Sequence, residues 1–399
     1  MKDDVARMRR CRLVAGLKTF LAWCALLALT VLAARYFKHP LLYVWRGAET
    51  PLLLLAGICG ACFAQRALRR AARWRGRLEA GMRFALCLLL LCLTAWQEGV
   101  FRWQQYQVLQ GGGAMERMGR HFVVGFRDFD EVMPLAERGL IGGIYITRHN
   151  LRGESAQSLR QHIDELQTAR ARAGLPPLFV MADQEGGKVS HLSPLIAPMP
   201  ALADLLAAGM ENLEARARAQ GERQGRDLAA LGVNMNLSPV VDLKPSRKKD
   251  WPDAYTRIER RAIAADPWIV TRVASAYGAG LAASGVQPTV KHFPGLGRVR
   301  GDTHLVEASL PLDPVERAAD WLPFREVTAR TGAAMMLAHV RLPDIDPHAP
   351  ASISRALVQG VLRKQGGEGW NYQGLLITDD LNMGAVYAGG VGRAAASAL

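Results

Sequence analysis

Lys291-His292-Phe293-Pro294-Gly295-Leu296-Gly297, continuing through Arg298-Val299-Arg300-Gly301 into Asp302-Thr303-His304, is the stretch on which the reading of this chain turns. The apolar run Val286 to Val290 feeds into Lys291-His292, and the Pro/Gly loop beyond it ends on an Asp and a His two residues apart. This is a strand delivering polar groups to a loop, the arrangement by which a barrel holds its chemistry at strand ends. In an extended segment Asp302 and His304 point the same way, so the carboxylate can hold one imidazole nitrogen while the other faces a substrate. Such a pair suits proton transfer near neutral pH. The spacing alone equally fits a loop in which Asp302 caps a turn and His304 is exposed.

Working outward, the chain after Gly111-Gly112-Gly113 alternates strand-length apolar runs with longer helical patterns, which predicts βα units and a parallel sheet. Strands are expected at residues 121–126, 142–147, 178–182, 233–237, 286–290, 333–337 and 375–378, with helices over 154–172, 213–231 and 267–283 among those between them. Several strands end on polar groups. Leu178 to Ala182 runs into Asp183-Gln184-Glu185-Gly186-Gly187-Lys188-Val189, where paired glycines let the backbone turn close to a ligand. Leu375 to Thr378 runs into Asp379-Asp380, two acids that could equally cap the helix that follows.

These stretches together resemble the β-N-acetylhexosaminidases of glycoside hydrolase family 3. Their loop reads Lys-His-Phe-Pro-Gly-His-Gly and then Asp-Ser-His; here Leu296 replaces a His and Thr303 a Ser. The resemblance covers roughly residues 120 to 399. It implies a (β/α)8 TIM-type barrel, Asp379 as nucleophile, and His304 as acid/base paired with Asp302. It also implies Asp183, Arg261, Lys291 and His292 as sugar-binding residues. Arg260 has an equal chemical claim beside Arg261, and His191 stands where the family often has a substrate-facing Arg. Lys291 and His292 would point to opposite faces of a regular strand, so the strand must break there for both to reach one ligand. Ile141 to Arg148 and Ser238 to Asp242 resemble the family's second and fourth strands and are read mainly as architecture. The resemblance implies retaining hydrolysis of a terminal β-linked N-acetylglucosamine, as on peptidoglycan fragments, without metal or cofactor. His292, Asp302, His304 and His339 are conceivable metal ligands, but Lys291 beside them argues against it.

Ala394 to Leu399 reads as the middle of a helix, and in the family a further strand follows, so the barrel as given is expected to lack its closing strand. That keeps open a catalytically inactive, membrane-tethered sugar-binding protein, or a relative closer to the β-glucosidases.

The front of the chain is different. Residues 1 to 103 carry 17 Lys or Arg against 5 Asp or Glu, whereas the remainder carries 33 against 31. The basic balance is thus confined to the front, which excludes a uniformly basic nucleic-acid-binding domain. Uncharged apolar runs at 19–34, 50–65 and 84–97 predict about three membrane spans, the last two being short. Arginines before the first run and six more from Arg66 to Arg77 predict a cytoplasmic N-terminus and a cytoplasmic loop. With three spans, the large domain lies on the periplasmic side of a bacterial inner membrane; with two, the Arg-rich loop lies on the surface and the domain stays inside. The organisation expected is a membrane region (1–103), a linker (104–119) and a barrel domain (120–399). All six cysteines lie in the first region, so the large domain needs no disulfide.

Overall fold

A computed structural model describes residues 2–399 except 40, 41, 43, 44, 46, 246–254, 300, 304–306, 312, 368, 388 and 389. The chain divides into two compact units, Met1–Gln110 and Gly111–Leu399.

The first unit is three helices, α1 (Lys2–Arg35), α2 (Glu49–Arg70) and α3 (Trp74–Gln110). All three are long and apolar enough to cross a membrane, the first over Gly16–Arg35. Their composition explains their surface. Leu21, Leu27, Val31, Leu52, Leu55, Ile58, Leu88 and Leu89 all face outward, which water would penalise and hydrocarbon would not. Inside, Ala33, Leu53 and Leu90 form a small shared core. At one end Lys38, just past α1, pairs with Glu98 of α3 at 3.3 Å, and Thr50 at the start of α2 donates to the same carboxylate at 2.9 Å.

The second unit is an α/β domain. Seven strands, β1 (Val123–Gly125), β2 (Gly143–Ile146), β3 (Phe179–Ala182), β4 (Met235–Asn236), β5 (Gln287–Phe293), β6 (Ala334–Leu337) and β7 (Leu376–Thr378), form one sheet in chain order. Each pairs parallel with the next. Helices α4 (Phe129–Glu137), α5 (Ala156–Arg172), α6 (Leu213–Ala230), α7 (Pro267–Ala282) and α8 (Pro314–Thr331) lie between successive strands. All seven expected strands form. A parallel sheet covered by helices is apolar on both faces, which is why its strands read as continuous apolar runs rather than alternations. Ile144, Ile146, Val180 and Val290 join the large core with the helices, whereas Met181, Met235, Leu237, Ala334 and Met336 form a second cluster on the opposite face.

Local sequence fixes the helices. Asp266 and Asp313 accept from the first free amides of α7 and α8, and a proline follows each at the first helical position. Helices α6 and α7 approach closely because Gly221 and Gly280 face each other's backbone. A Cβ at Gly221 would sit 2.2 Å from the Tyr277 carbonyl oxygen.

Candidate active site

The carboxyl ends of β2, β3, β5 and β7, with the segment after β4, bring together most of the residues singled out from the sequence. Strand β5 continues through Lys291 and His292 to Phe293, and the expected break takes the form of a register shift between Val290 and Phe293. The Lys291–His292 peptide is cis.

Lys291 is buried, and its ammonium contacts Asp183 and lies 2.7 Å from Glu185 Oε1. Glu185 in turn takes a two-pronged ion pair from Arg261, at 2.6 and 3.0 Å. Burial pushes the Glu185 carboxyl up, but Arg261 and Lys291 outweigh it and hold the group well below the usual carboxylate range. Burial opposes the Lys291 charge, yet Asp183 and Glu185 raise the ammonium above its ordinary value. Lys291, Arg261 and Glu185 are thereby each held towards their charged forms in a place where an unpaired charge would be costly. Arg261, not the exposed Arg260, enters this cluster.

His292 is oriented from both sides. Its Nδ1 lies 2.7 Å from Asp242 Oδ2, and its Nε2 lies 3.2 Å from the Arg261 guanidinium. Arginine has donors only, so Nε2 accepts and the proton resides on Nδ1, donated to Asp242. The other oxygen of Asp242 accepts from the Leu296 amide at 2.7 Å, pinning the start of the following loop. Asp242 was read as architecture; fully buried, it positions both histidine and loop. Its signal was available, since a carboxylate directly after the apolar pair Val240-Val241 needs a partner when buried.

Asp379 follows β7, half-buried, its Oδ1 accepting from the Asp380 amide at 2.9 Å. Burial raises its carboxyl, but His292 and His339, the Asp380 amide and Lys291 outweigh that and hold it below its ordinary value. His339 is fixed by Ser352 at 2.7 Å and the Asp380 carbonyl at 2.9 Å. Asp380 is exposed and accepts from the amide and side chain of Asn382, capping a turn ahead of the next helix.

Asp302 is buried, and its carboxylate accepts from the Tyr255 amide at 2.8 Å and the Thr256 hydroxyl at 3.1 Å. His304 lies outside the described residues, and with it the expected Asp302–His304 pair. Gly186 and Gly187 adopt left-handed backbone (φ 94° and 60°) in a turn packed on Met199 and Pro200, and a Cβ at Gly186 would meet the Pro200 carbonyl oxygen at 2.3 Å. Both ring nitrogens of His292 and of His339 are engaged, and no cluster of metal-ligating side chains occurs among the described residues.

Parallel βα units with carboxylates, cations and oriented histidines gathered at the carboxyl ends of the strands define an α/β domain with a charge-rich cluster where such domains place their ligands. The chain belongs to glycosyl hydrolase family 3: residues 115–399 match the family's N-terminal domain. Among curated relatives, a beta-hexosaminidase of Neisseria gonorrhoeae is 36% identical over 259 residues, spanning 63% of this chain and 66% of that protein. One from Xanthomonas campestris is 34% identical over 257 residues, spanning 63% of this chain and 72% of that protein. Among solved structures, a family 3 beta-N-acetylglucosaminidase from Paenibacillus superposes with a TM-score of 0.63 at 31% identity, over 71% of this chain and 52% of that one. NagZ from Neisseria gonorrhoeae, in complex with N-trifluoroacetyl-D-glucosamine, gives a TM-score of 0.59 at 29% identity, over 70% of this chain and 78% of that one.

Proposed function

We propose that this protein is a retaining β-N-acetylhexosaminidase that releases terminal β-linked N-acetylglucosamine, with peptidoglycan fragments as its natural substrates. The observation that carries the reading is Asp379: a carboxylate at a strand end, held below its ordinary pKa despite burial and accepting from the Asp380 amide, in a domain whose relatives are beta-hexosaminidases. In the first step Asp379 attacks the anomeric carbon while His304, oriented by Asp302, gives its proton to the departing glycosidic oxygen. In the second, His304 takes a proton from water, which attacks the same carbon and frees Asp379. Asp183, Lys291, His292 and Arg261 hold the sugar; carboxylate and cations are the groups that grip vicinal hydroxyls. The seven parallel strands in chain order support a (β/α)8-type barrel as the architecture.

The same proposal covers placement. Residues 1–103 form the membrane region, 104–119 the connection and 120–399 the catalytic domain. The three helices cross a bacterial inner membrane with the Arg66–Arg77 cluster inside, so the catalytic domain lies in the periplasm. In support, the Lys38–Thr50–Glu98 cluster and the Arg-rich turn fall at opposite ends of α2.

The test is turnover of a chromogenic N-acetyl-β-glucosaminide by the full chain purified in detergent, beside Asp379→Asn and His304→Ala. Turnover by the parent, with both variants reduced by about a thousandfold or more, is the expected result. A folded parent silent on this substrate overturns the assignment.

A further inference from the structure

Tyr145 lies in the second-strand stretch read as architecture, yet its hydroxyl reaches Asp183. It occupies the third position of β2, between Ile144 and Ile146, which are both fully buried in the large core. Alternation along the strand turns Tyr145 to the other face, where it packs with the Met181–Met235–Met336 cluster. From there its hydroxyl lies 2.6 Å from Asp183 Oδ2, while Lys291 holds Asp183 Oδ1. Asp183 is fixed from a third side through its carbonyl oxygen, which accepts from the His191 amide at 3.1 Å, and the His191 ring lies 6.2 Å from that of Tyr145.

We infer that Tyr145 is a positioning residue for substrate recognition: its hydroxyl fixes the Asp183 carboxylate so that the remaining lone pairs meet one particular sugar hydroxyl. The inference rests on the hexosaminidase reading and deepens it. A carboxylate held at both oxygens cannot rotate, and its free lone pairs then have set directions. Asp183 keeps a fifth of its side-chain surface open, which leaves the carboxylate reachable by a ligand. Burial, and after it Asp183, Asp380 and Asp379, push the phenol far above its ordinary pKa, so Tyr145 remains a hydrogen-bond donor throughout the working range.

The experiment compares the full-length parent, Tyr145→Phe and Asp183→Asn on a chromogenic N-acetyl-β-glucosaminide and on analogues lacking each free sugar hydroxyl in turn. Tyr145→Phe removes one oxygen and keeps the ring, so the variant folds with the parent's melting temperature. On the full substrate, kcat/KM falls about tenfold, mainly through KM. On the analogue to which Asp183→Asn is also indifferent, the effect of Tyr145→Phe shrinks to less than about twofold, because the hydroxyl that Asp183 receives is gone. A loss of the same size on every analogue would make Tyr145 merely structural and overturn the inference, as would no loss on the full substrate. If the parent itself is silent, the hexosaminidase reading falls, and calorimetric binding of N-acetylglucosamine decides Tyr145 separately. Affinity weakened about tenfold in Tyr145→Phe then sustains its positioning role; equal affinity ends it.

Discussion

Replacing Glu185 with Gln tests the balance of charge on which the whole cluster depends. The amide has nearly the shape of the carboxylate, so packing is kept and only the charge is lost. Glu185 is buried and serves two cations at once, Arg261 through two hydrogen bonds and Lys291 at 2.7 Å. Without it, Asp183 alone faces both. Removing one member of a buried ion pair costs about 3–5 kcal/mol, because the partner is left charged and poorly solvated. At 2–4 °C per kcal/mol for a domain of this size, the melting temperature should fall by roughly 6–20 °C. Unfolding is followed by tryptophan fluorescence, and in parallel by the loss of glycosidase turnover on heating. The pH dependence adds a second constraint. Glu185 sits below its ordinary value of 4.5 in the fold, so its contribution is complete above that pH and fades as pH falls below it. Lys291 sits above its ordinary 10.5, so its contribution is complete below that and fades as pH rises further. Parent and variant should therefore converge as the solution is made more acid than about pH 4.5. A Glu185→Gln protein melting within about 2 °C of the parent at neutral pH would refute the claim that this carboxylate holds the two cations in place.

Other substitutions probe separate parts of the argument. Asp242→Asn offers His292 an amide in place of its anionic partner and should lower kcat/KM about tenfold or more in steady-state assays; a change within about twofold would show that the imidazole is oriented by Arg261 alone. Asp320, buried on α8 against Arg298, has its carboxyl pushed up to about 6 by burial, which the guanidinium only partly offsets. Because this pKa is raised, the group favours the fold below its ordinary 3.8, and that advantage is lost as pH rises through 6. Asp320→Asn should remove on the order of 2 kcal/mol of the fall in stability between pH 4 and 7, read from denaturant titrations at the two pH values. Gly221→Ala forces a methyl group against the Tyr277 carbonyl and should cost about 1–3 kcal/mol, seen as a lower denaturation midpoint with an unchanged slope.

Fold and site were not equally legible in the sequence. The strands were readable because sheet burial on both faces imposes unbroken apolar runs, and the helices because aspartate caps and N-terminal prolines mark their starts, as at Asp266-Pro267 and Asp313-Pro314. Asp183, Arg261, Lys291 and His292 were singled out through a resemblance of motifs, and the fold brings the four side chains into one cluster. Chemistry alone could not separate Arg260 from Arg261. Adjacent residues on a short helical turn differ by about 100° in direction, and only the packing of that turn decides which one meets Glu185.

Tyr145 and Asp242 show why the remainder stayed hidden. Each ends or interrupts an apolar run, and in one dimension that position is compatible with a core residue, a turn or a ligand contact. What distinguishes them is depth along the strand. Side chains such as Met181 and Met235 pack with Leu237, Ala334 and Met336 and can be apolar. Side chains that reach the charged cluster must supply a hydrogen bond or leave a polar group unsatisfied. Tyr145 donates to Asp183, and Asp242 accepts from His292 and Leu296. The layer at which a strand's inward residue sits depends on its stagger relative to its neighbours, here Tyr145 beside Met181 and Val240 beside Lys291, and stagger is a property of the assembled sheet. Tyr145 therefore becomes a site residue only once β2 is set beside β3, because that register carries its hydroxyl one layer above Met181, to Asp183.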